Sequence, residues 1–547
     1  MPGHPAVAER LARLAPDQRA AAVAPPGPVL CVAPAGSGKT TTLVARIAWL
    51  IDAGAAPESI CAITFNKRAA EELRERVAVA LEPLGRELAA HVRIRTFHAL
   101  GLEMLRGAGE TVAPLLDRDE TLRAVRPAMP VAERRRLDTI LSRFKLDLDI
   151  DPLAIEADPE AGPIARTYAA YEAEIRRRGG LDFDDLVARA LRLLGRDAAA
   201  LAVWRTRCTH LLVDEAQDLD RAQLRLALLL AAPANRIFLV GDDDQSIYGW
   251  RLADVRRLIG LADAALPDLT RVDLETNYRC PEAVLERAVR LVEHNVERFA
   301  KVIRAGPEAE GRLVLAPSAA DDVDRAAAVL ASWPQDDGST RAVLARTNRE
   351  LLPVVAAAIR LGVPFRAADL QLPVDSPLVD ELLAAARDVA PTGHPMMALA
   401  RLPERSAAAP AMDEDDPLVE RRAIAAALLG WAAACTTLDA LAGSIQATRS
   451  RLEELRRDDA PLLLATAHGT KGLEFDHVAV IGLDEGRFPS ARSIADAVEP
   501  ERALEEERRL AYVAWTRARR TLTLVYDPGS PSQFLREAFS SAELGVG

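Results

Sequence analysis

Lys39 and Thr40 follow the run Ala33-Pro34-Ala35-Gly36-Ser37-Gly38, which itself follows four apolar residues, Val29-Leu30-Cys31-Val32. Leu43, Ile47, Leu50 and Ile51 then recur at helical spacing. A strand, a glycine-rich turn and a helix opening on Lys-Thr form a cradle for nucleotide phosphates, in which backbone N–H groups and the helix N-terminus face the anion. Ala35, Gly36, Ser37, Gly38, Lys39, Thr40 and Thr41 are the expected cradle, with Lys39 on the β/γ-phosphates and Thr40 on Mg²⁺. Ala33 stands where a glycine usually opens this pattern. A second apolar run, His210 to Val213, delivers Asp214 and Glu215. Asp214 suits Mg²⁺, and Glu215 suits the orientation and deprotonation of the attacking water. A third run, Ile237 to Val240, leads to Gln245, able to sense a γ-phosphate, and within six residues to Tyr248, Trp250 and Arg251. Those three offer stacking faces and a cation, the equipment of a single-strand binding track.

The elements that must carry these groups alternate between strand and helix. Ile60–Phe65 and Val92–Phe97 are apolar, β-branched runs separated by a helical stretch, which implies a doubly wound parallel sheet. Ligands gather at the carboxyl ends of such strands. Phe65, Phe97 and His98 are therefore candidate stacking faces, and Thr96 and Lys67 candidate phosphate contacts, with core packing competing for each phenylalanine. Gln18, just upstream of the phosphate loop, carries an amide suited to the edge of adenine. From 107 to 200 the strand signal gives way to helical, Arg/Glu-rich segments, expected to be an insertion in the first sheet domain. Further strands are expected at Arg271–Leu274, Arg312–Ala316, Arg341–Ala345, Leu462–Thr466, His477–Gly482 and Thr521–Tyr526, forming a second sheet domain without a phosphate loop.

Composition narrows the class. The 547 residues are 49% hydrophobic and 27% charged, as in a globular chain of several domains. No signal peptide or membrane span is read, and the five scattered cysteines fit a reducing cytoplasm. The net charge of −12 argues against bulk attraction to nucleic acid but leaves room for a local groove. Only five of the 69 basic residues are lysines (Lys39, Lys67, Lys145, Lys301 and Lys471), which points to sites that want a compact ammonium.

Taken together, Gln18, the phosphate loop, Thr64-Phe65, Thr96-Phe97-His98, Asp214 to Asp218, Gly241 to Arg251, Leu274 to Arg279, Arg346-Thr347-Asn348, His468 to Phe475 and Glu507 to Ala518 resemble the ordered motif series of the UvrD/Rep/PcrA-like superfamily 1 DNA helicases. The resemblance runs from residue 14 to about 526. It implies an α/β fold of two RecA-like P-loop NTPase domains with helical insertions, ATP and Mg²⁺ as cofactors, and single-stranded DNA and ss/ds junctions as partners. It further implies that Tyr278 stacks on adenine, that Glu474 binds the ribose, and that Asn348, His468 and Lys471 meet the DNA backbone. Arg279 and Arg517 are the expected guanidiniums that neutralise charge on the transferred phosphoryl across a cleft between two motor domains. The expected division is 1–106 and 201–278 for the first motor domain, 107–200 for its insertion, 279–365 and 460–547 for the second, and 366–459 for a reduced accessory subdomain able to meet a repair partner. Movement is expected to be 3′→5′, by a monomer.

Three departures qualify the resemblance. Thr41 replaces an arginine common in the family, Asn66-Lys67-Arg68 replaces a Thr-Asn-Lys order, and Tyr526 runs through Asp527–Ser532 with little room for a strand-separating hairpin. Movement along single strands is thus better supported than efficient unwinding. A nucleotide-dependent binding subunit is the alternative, RNA remains open as a substrate from stacking residues alone, and no further domain is left for a nuclease. Residues 412–417 read as an acidic loop.

Overall fold

The structure is a computed structural model that describes residues 3–545 except 149, 159, 308, 335–336, 369, 391 and 403–416. It divides into two compact units.

The first unit comprises residues 1–128, 137–311 and 492–516. Its sheet contains β1 (Val29–Val32), β2 (Ile60–Thr64), β3 (Arg93–Thr96), β4 (His210–Val213), β5 (Ile237–Gly241) and β6 (Thr270–Asp273), in the order β3-β2-β4-β5-β1-β6 and parallel throughout. The apolar runs are continuous because both faces of the sheet are covered. Leu30, Val32, Ile63, Val213 and Leu239 enter one core, while the alternate residues Val29, Cys31, Ala62, Leu212 and Phe238 enter the other. Helix Lys39–Asp52 closes the second core through Leu43, Ile47 and Leu50. β6 corrects the expectation for Arg271–Leu274. It does not belong to a second sheet but pairs with β1, Val32 opposite Asp273, as an exposed polar edge.

Among the described residues from 118 to 207 the regular structure is helical. Leu122, Leu141, Tyr168, Tyr171 and Ile175 form a small apolar core there. Beside it lies a buried ionic cluster. Lys145 Nζ sits 2.6 Å from Glu172 Oε1, 2.8 Å from Asp182 Oδ2 and 3.1 Å from Asp185 Oδ1. Arg118 donates to Asp182 and Asp184, and Tyr171 donates its hydroxyl to Asp182 at 2.7 Å. The two cations hold the Asp182 carboxyl well below the usual carboxylate range against the opposing effect of burial.

The second unit comprises residues 129–136, 312–491 and 517–547. After the two-residue pair β7 (Thr276–Asn277) and β8 (Arg304–Ala305) of the first unit, the chain forms β9 (Arg312–Pro317), β10 (Arg341–Ala345), β11 (Phe365–Arg366), β12 (Leu462–Thr466), β13 (Phe475–Val480) and β14 (Ala518–Tyr526). These strands make a second parallel sheet in the order β11-β12-β10-β13-β14-β9. Both sheets have the parallel, helix-flanked architecture of RecA-like domains. Helices Leu378–Val389 and Leu438–Leu455 share one core with this sheet, Leu382 and Leu441 joining Val343 and Leu462. Residues 412–416 of the expected acidic loop lie outside the described residues.

In three places the compact units depart from the expected borders. Residues 129–136 fall in the second unit, and residues 279–311 and 492–516, the latter with helix Pro500–Trp515, pack within the first. Glu505 accounts for the placement of helix Pro500–Trp515: its carboxylate accepts the N–H groups of Val296 and Glu297, and its carbonyl accepts from Asn295 Nδ2.

The Lys145 cluster gives a stability test. Lys145→Ala leaves carboxylates buried without their cation and should cost roughly 3–5 kcal/mol in denaturant unfolding. An unchanged midpoint would mean that the carboxylates are held as neutral acids.

Candidate functional site

The site of the first unit is built where β1 ends. Gly36 and Gly38 have φ of +69° and +84°, conformations that L side chains rarely adopt, and they curl the chain into the N-terminus of helix Lys39–Asp52. Three side chains lock the outside of the curl. Gln18 Nε2 donates to Ser37 O at 2.8 Å, Asn277 Nδ2 donates to Ala35 O at 2.6 Å, and Ala35 N donates to Asp242 Oδ2 at 3.0 Å. Tyr278 adds its own N–H to Gly36 O at 2.9 Å. Space is tight: a Cβ on Gly36 would lie 2.8 Å from Arg279 Cβ, and one on Gly38 would lie 2.5 Å from Gln18 Nε2.

Inside this curl two polar atoms are buried without a hydrogen-bond partner, Lys39 Nζ and Ser37 Oγ. The nearest carboxylate to the Lys39 ammonium is Glu215, at 3.9 Å. An ammonium buried against backbone N–H groups is unfavourable until an anion arrives. The donor set fits the phosphates of a nucleotide. Thr40, the second residue of the helix, and Asp214, at the end of β4, are the hard oxygen donors that would hold Mg²⁺.

The acidic side comes from the neighbouring strands β4 and β5. Glu215 is held in the left-handed region at φ +52°, a conformation costing a non-glycine residue about 1–3 kcal/mol. Gln217 links it to the next motif, donating Nε2 to Glu215 Oε2 at 2.5 Å while its Oε1 accepts Asp242 N at 3.0 Å. Gln245 is nearly buried, and its Nε2 donates to Asp242 Oδ2 at 2.6 Å. Asp242, Asp243 and Asp244 are fully buried around Lys301, whose ammonium lies 2.9 Å from Asp242 Oδ1 and 2.8 Å from Asp244 Oδ2 and also donates to Asp243. Arg298 makes a two-pronged contact with Asp244, and Phe299 N donates to Asp243. Sequence reasoning missed Lys301 and Arg298. The rarity of lysine was the available signal for the first.

Beyond Gln245 the chain gathers aromatic groups. The rings of Phe65 and Tyr248 stack at 4.9 Å and 13°, Tyr248 meets Trp250 edge-on at 6.2 Å, and the Arg251 guanidinium lies 4.6 Å from the Trp250 ring. Trp250 remains 55% exposed. His98 stacks at 3.9 Å on Phe183, an exposed ring of the helical insertion that the sequence reading did not single out. Burial pushes the His98 imidazole down to about 4, so it is neutral at pH 7. Phe97 corrects its expectation. At 4% exposure it belongs to the core beneath β2, because the first turn of its helix turns it inward. Thr96 spends its hydroxyl capping that helix, accepting from Ala99 N, and Lys67 is exposed, 3.8 Å from Glu71.

Tyr278 is 49% exposed beside the phosphate loop, as a ring offered to a flat ligand must be. Both ends of the Gln18 amide are engaged by backbone, since Oε1 accepts from Ala15 N at 3.2 Å. Arg279 donates to Thr516 O, and its backbone N donates to Asn277 Oδ1.

In the second unit, β10 and β12 are parallel neighbours with Ala345 opposite Thr466, so the loops that follow emerge at one edge. Asn348 opens a helix there, and His468 and Lys471 occupy the adjoining turn. Burial, aided by the Arg346 and Lys471 charges, pushes His468 down to about 4. Glu474 pairs with Arg519, and the buried Arg517 donates to Leu473 O at 3.1 Å.

The chain matches two family models, the UvrD/REP helicase N-terminal domain over residues 14–264 and the UvrD-like helicase C-terminal domain over residues 434–528. It is 29% identical to DNA helicase II of Escherichia coli, with 93% of this chain and 84% of that protein aligned. It is likewise 29% identical to the ATP-dependent DNA helicase PcrA of Leuconostoc citreum, over 91% of this chain and 80% of that protein. The Staphylococcus aureus PcrA is 25% identical, over 93% and 84%.

Gly38 offers a direct test of the cradle. Gly38→Ala must adopt φ +84° and displace the Gln18 amide, so affinity for a fluorescent nucleotide analogue should fall at least roughly tenfold, about 1.4 kcal/mol, with the far-UV spectrum unchanged.

Proposed function

Because the chain belongs to the UvrD/REP-like helicases, we propose that it is an ATP-dependent DNA helicase that couples hydrolysis at Lys39 to 3′→5′ movement along single-stranded DNA in repair, replication or recombination. The observation that carries this reading is the buried Lys39 ammonium, which lacks a hydrogen-bond partner in a backbone cradle, on the same sheet edge as the Phe65–Tyr248–Trp250 platform. Gln245 and Tyr248 are three residues apart, so a shift at the phosphate end is delivered at once to the stacking end.

In the proposed step, Glu215 accepts a proton from water as its oxygen attacks the γ-phosphorus, and the bond to the bridging oxygen breaks to release ADP. Lys39 carries the charge accumulating on the β/γ-oxygens, with Arg279 and Arg517 assigned to the same charge in the hydrolytic state. Mg²⁺, held by Thr40 and Asp214, would supply Lewis-acid stabilisation of those oxygens. Tyr278 is assigned to the adenine face, Gln18 to its edge after exchanging a backbone partner, and Glu474 to the ribose. Phe65, Tyr248, Trp250, Arg251 and His98 form the base-stacking track, and Lys67, Thr96, Asn348, His468 and Lys471 contact the backbone. We assign 366–459 to partner contacts, and the working unit is a monomer. Only residues 527–532 separate β14 from helix Gln533–Ala538, and none is a strand. That supports translocation as the main activity, with strand separation weaker.

Lys39→Ala should lower DNA-stimulated ATP turnover by at least about 10²-fold, and retained turnover would refute the assigned site. Trp250→Ala should weaken single-strand affinity by roughly 1–3 kcal/mol while leaving nucleotide affinity intact. Strand displacement on duplexes with 3′ or 5′ tails checks the polarity.

Salt dependence separates the two contacts of the second unit. Lys471→Gln should reduce the slope of log K against log salt for single strands by about 0.7. His468→Gln should leave that slope unchanged, because its imidazole is neutral at pH 7. Equal slopes for both variants would remove Lys471 from the DNA backbone.

A further inference from the structure

Lys301 lies outside every motif that the sequence singled out, yet it is the most connected buried cation near the phosphate loop. Its ammonium is fully enclosed and touches all three carboxylates of Asp242, Asp243 and Asp244. From Asp242 the contacts run on without a gap. Oδ2 accepts from Ala35 N in the phosphate loop and from Gln245 Nε2, and the backbone N donates to Gln217 Oε1. Gln217 Nε2 then donates to Glu215. Asp242 thus holds the phosphate loop and the γ-phosphate reader through its carboxylate and, through its backbone N–H and Gln217, reaches the water-activating residue, while its other carboxylate oxygen is held by Lys301 and by Asp244 N.

Resting on the assignment of ATP hydrolysis to this loop, we propose that Lys301 is a positioning residue for that reaction. It orients Asp242 so that Ala35, Gln245 and Glu215 are held in register with one another. An alternative role as mere charge balance is distinguishable, because the carboxylates of Asp243 and Asp244 also need a counter-ion but have further partners of their own. Arg298 serves Asp244, and Phe299 N serves Asp243. Without the ammonium, Oδ1 of Asp242 keeps only the Asp244 N–H, and the carboxylate is freer to rotate away from Ala35 and Gln245 together. Displacement of about an ångström at a catalytic carboxylate costs on the order of 10² in rate.

The test compares the full-length protein with Lys301→Met and with the double variant Lys301→Met/Asp243→Asn, which removes one carboxylate together with the cation and so keeps the buried charge unaltered. Two readouts are taken: steady-state ATP turnover with single-stranded DNA, and amide exchange of residues 33–38 and 215–218 in the nucleotide-free protein. The expected result is a kcat lowered on the order of 10²-fold in both variants, with KM for ATP within about threefold, and amide exchange accelerated in those two segments. Recovery of kcat in the double variant, or unchanged exchange there, overturns the positioning role and leaves charge balance. Absence of turnover in the unaltered protein overturns the functional reading and this role with it, whereas normal turnover in the variants overturns this role alone.

Discussion

One buried carboxylate, Asp242, ties the glycine-rich loop after β1 to Gln245 and to Lys301. Asp242 is wholly removed from solvent, and desolvation alone would favour its neutral form. The Lys301 and Lys39 charges reverse that tendency, so its pKa lies below the ordinary value and it stays an anion. As an anion it accepts from every donor around it, Ala35 N, Asp244 N, Gln245 Nε2 and Lys301 Nζ. Charge-assisted hydrogen bonds of this kind are about twice as strong as neutral ones. The linkage has a sign. A carboxylate with a depressed folded-state pKa adds stability above its unfolded value near 4, and that stability is lost as pH falls through the folded value. The phosphate loop is therefore held firmly throughout the neutral range.

A constraint of this sort explains the backbone strain nearby. Glu215 is kept at positive φ without being glycine, and the surroundings must over-determine it. Gln217 does so from one side, gripping the Glu215 carboxylate while reaching Asp242 N. The close packing of Gly241 against Gln217 leaves no room for any side chain there, since a Cβ would lie 2.4 Å from Oε1. Geometry is thus delivered to Glu215 by neighbours that cannot relax independently.

How much of this was legible in the sequence differs by kind of signal. Apolar runs ending in chemistry-bearing residues located β1, β2, β4 and β5, because a strand buried on both faces leaves a continuous hydrophobic trace. The aromatic cluster was legible from the spacing of Tyr248, Trp250 and Arg251. Phe97 was misread because periodicity cannot say which way the first residue of a helix turns. β6 was placed in the wrong sheet because an exposed polar edge strand carries no partner information in its own residues. Lys301, Arg298, Gln217 and Phe183 act through partners distant in the chain, Lys301 on residues more than fifty positions upstream, and no local pattern records such a pairing. Helix Pro500–Trp515 was misplaced for the same reason, its Glu505 reaching back over two hundred positions.

The scarcity of lysine carries the remaining argument. In a chain where arginine supplies nearly every cation, Lys145 and Lys301 are each enclosed by three carboxylates at short range. A planar guanidinium spreads its donors over separate nitrogens, as Arg298 grips Asp244 through Nε and Nη2, and as Arg118 reaches Asp138 through Nη1 and Asp182 and Asp184 through Nη2. No one nitrogen of that fork can aim three N–H bonds at three acceptors disposed around a point, since each carries at most two, both in one plane. An ammonium can, because its three N–H bonds diverge from a single nitrogen. Under the proposed function Lys39 would follow the same geometry, because a triphosphate presents oxygens around one point and not along one plane, and the ammonium is buried without a hydrogen-bond partner. Among the described residues the lysines that are wholly enclosed, Lys145 and Lys301, are the ones on which three carboxylates converge.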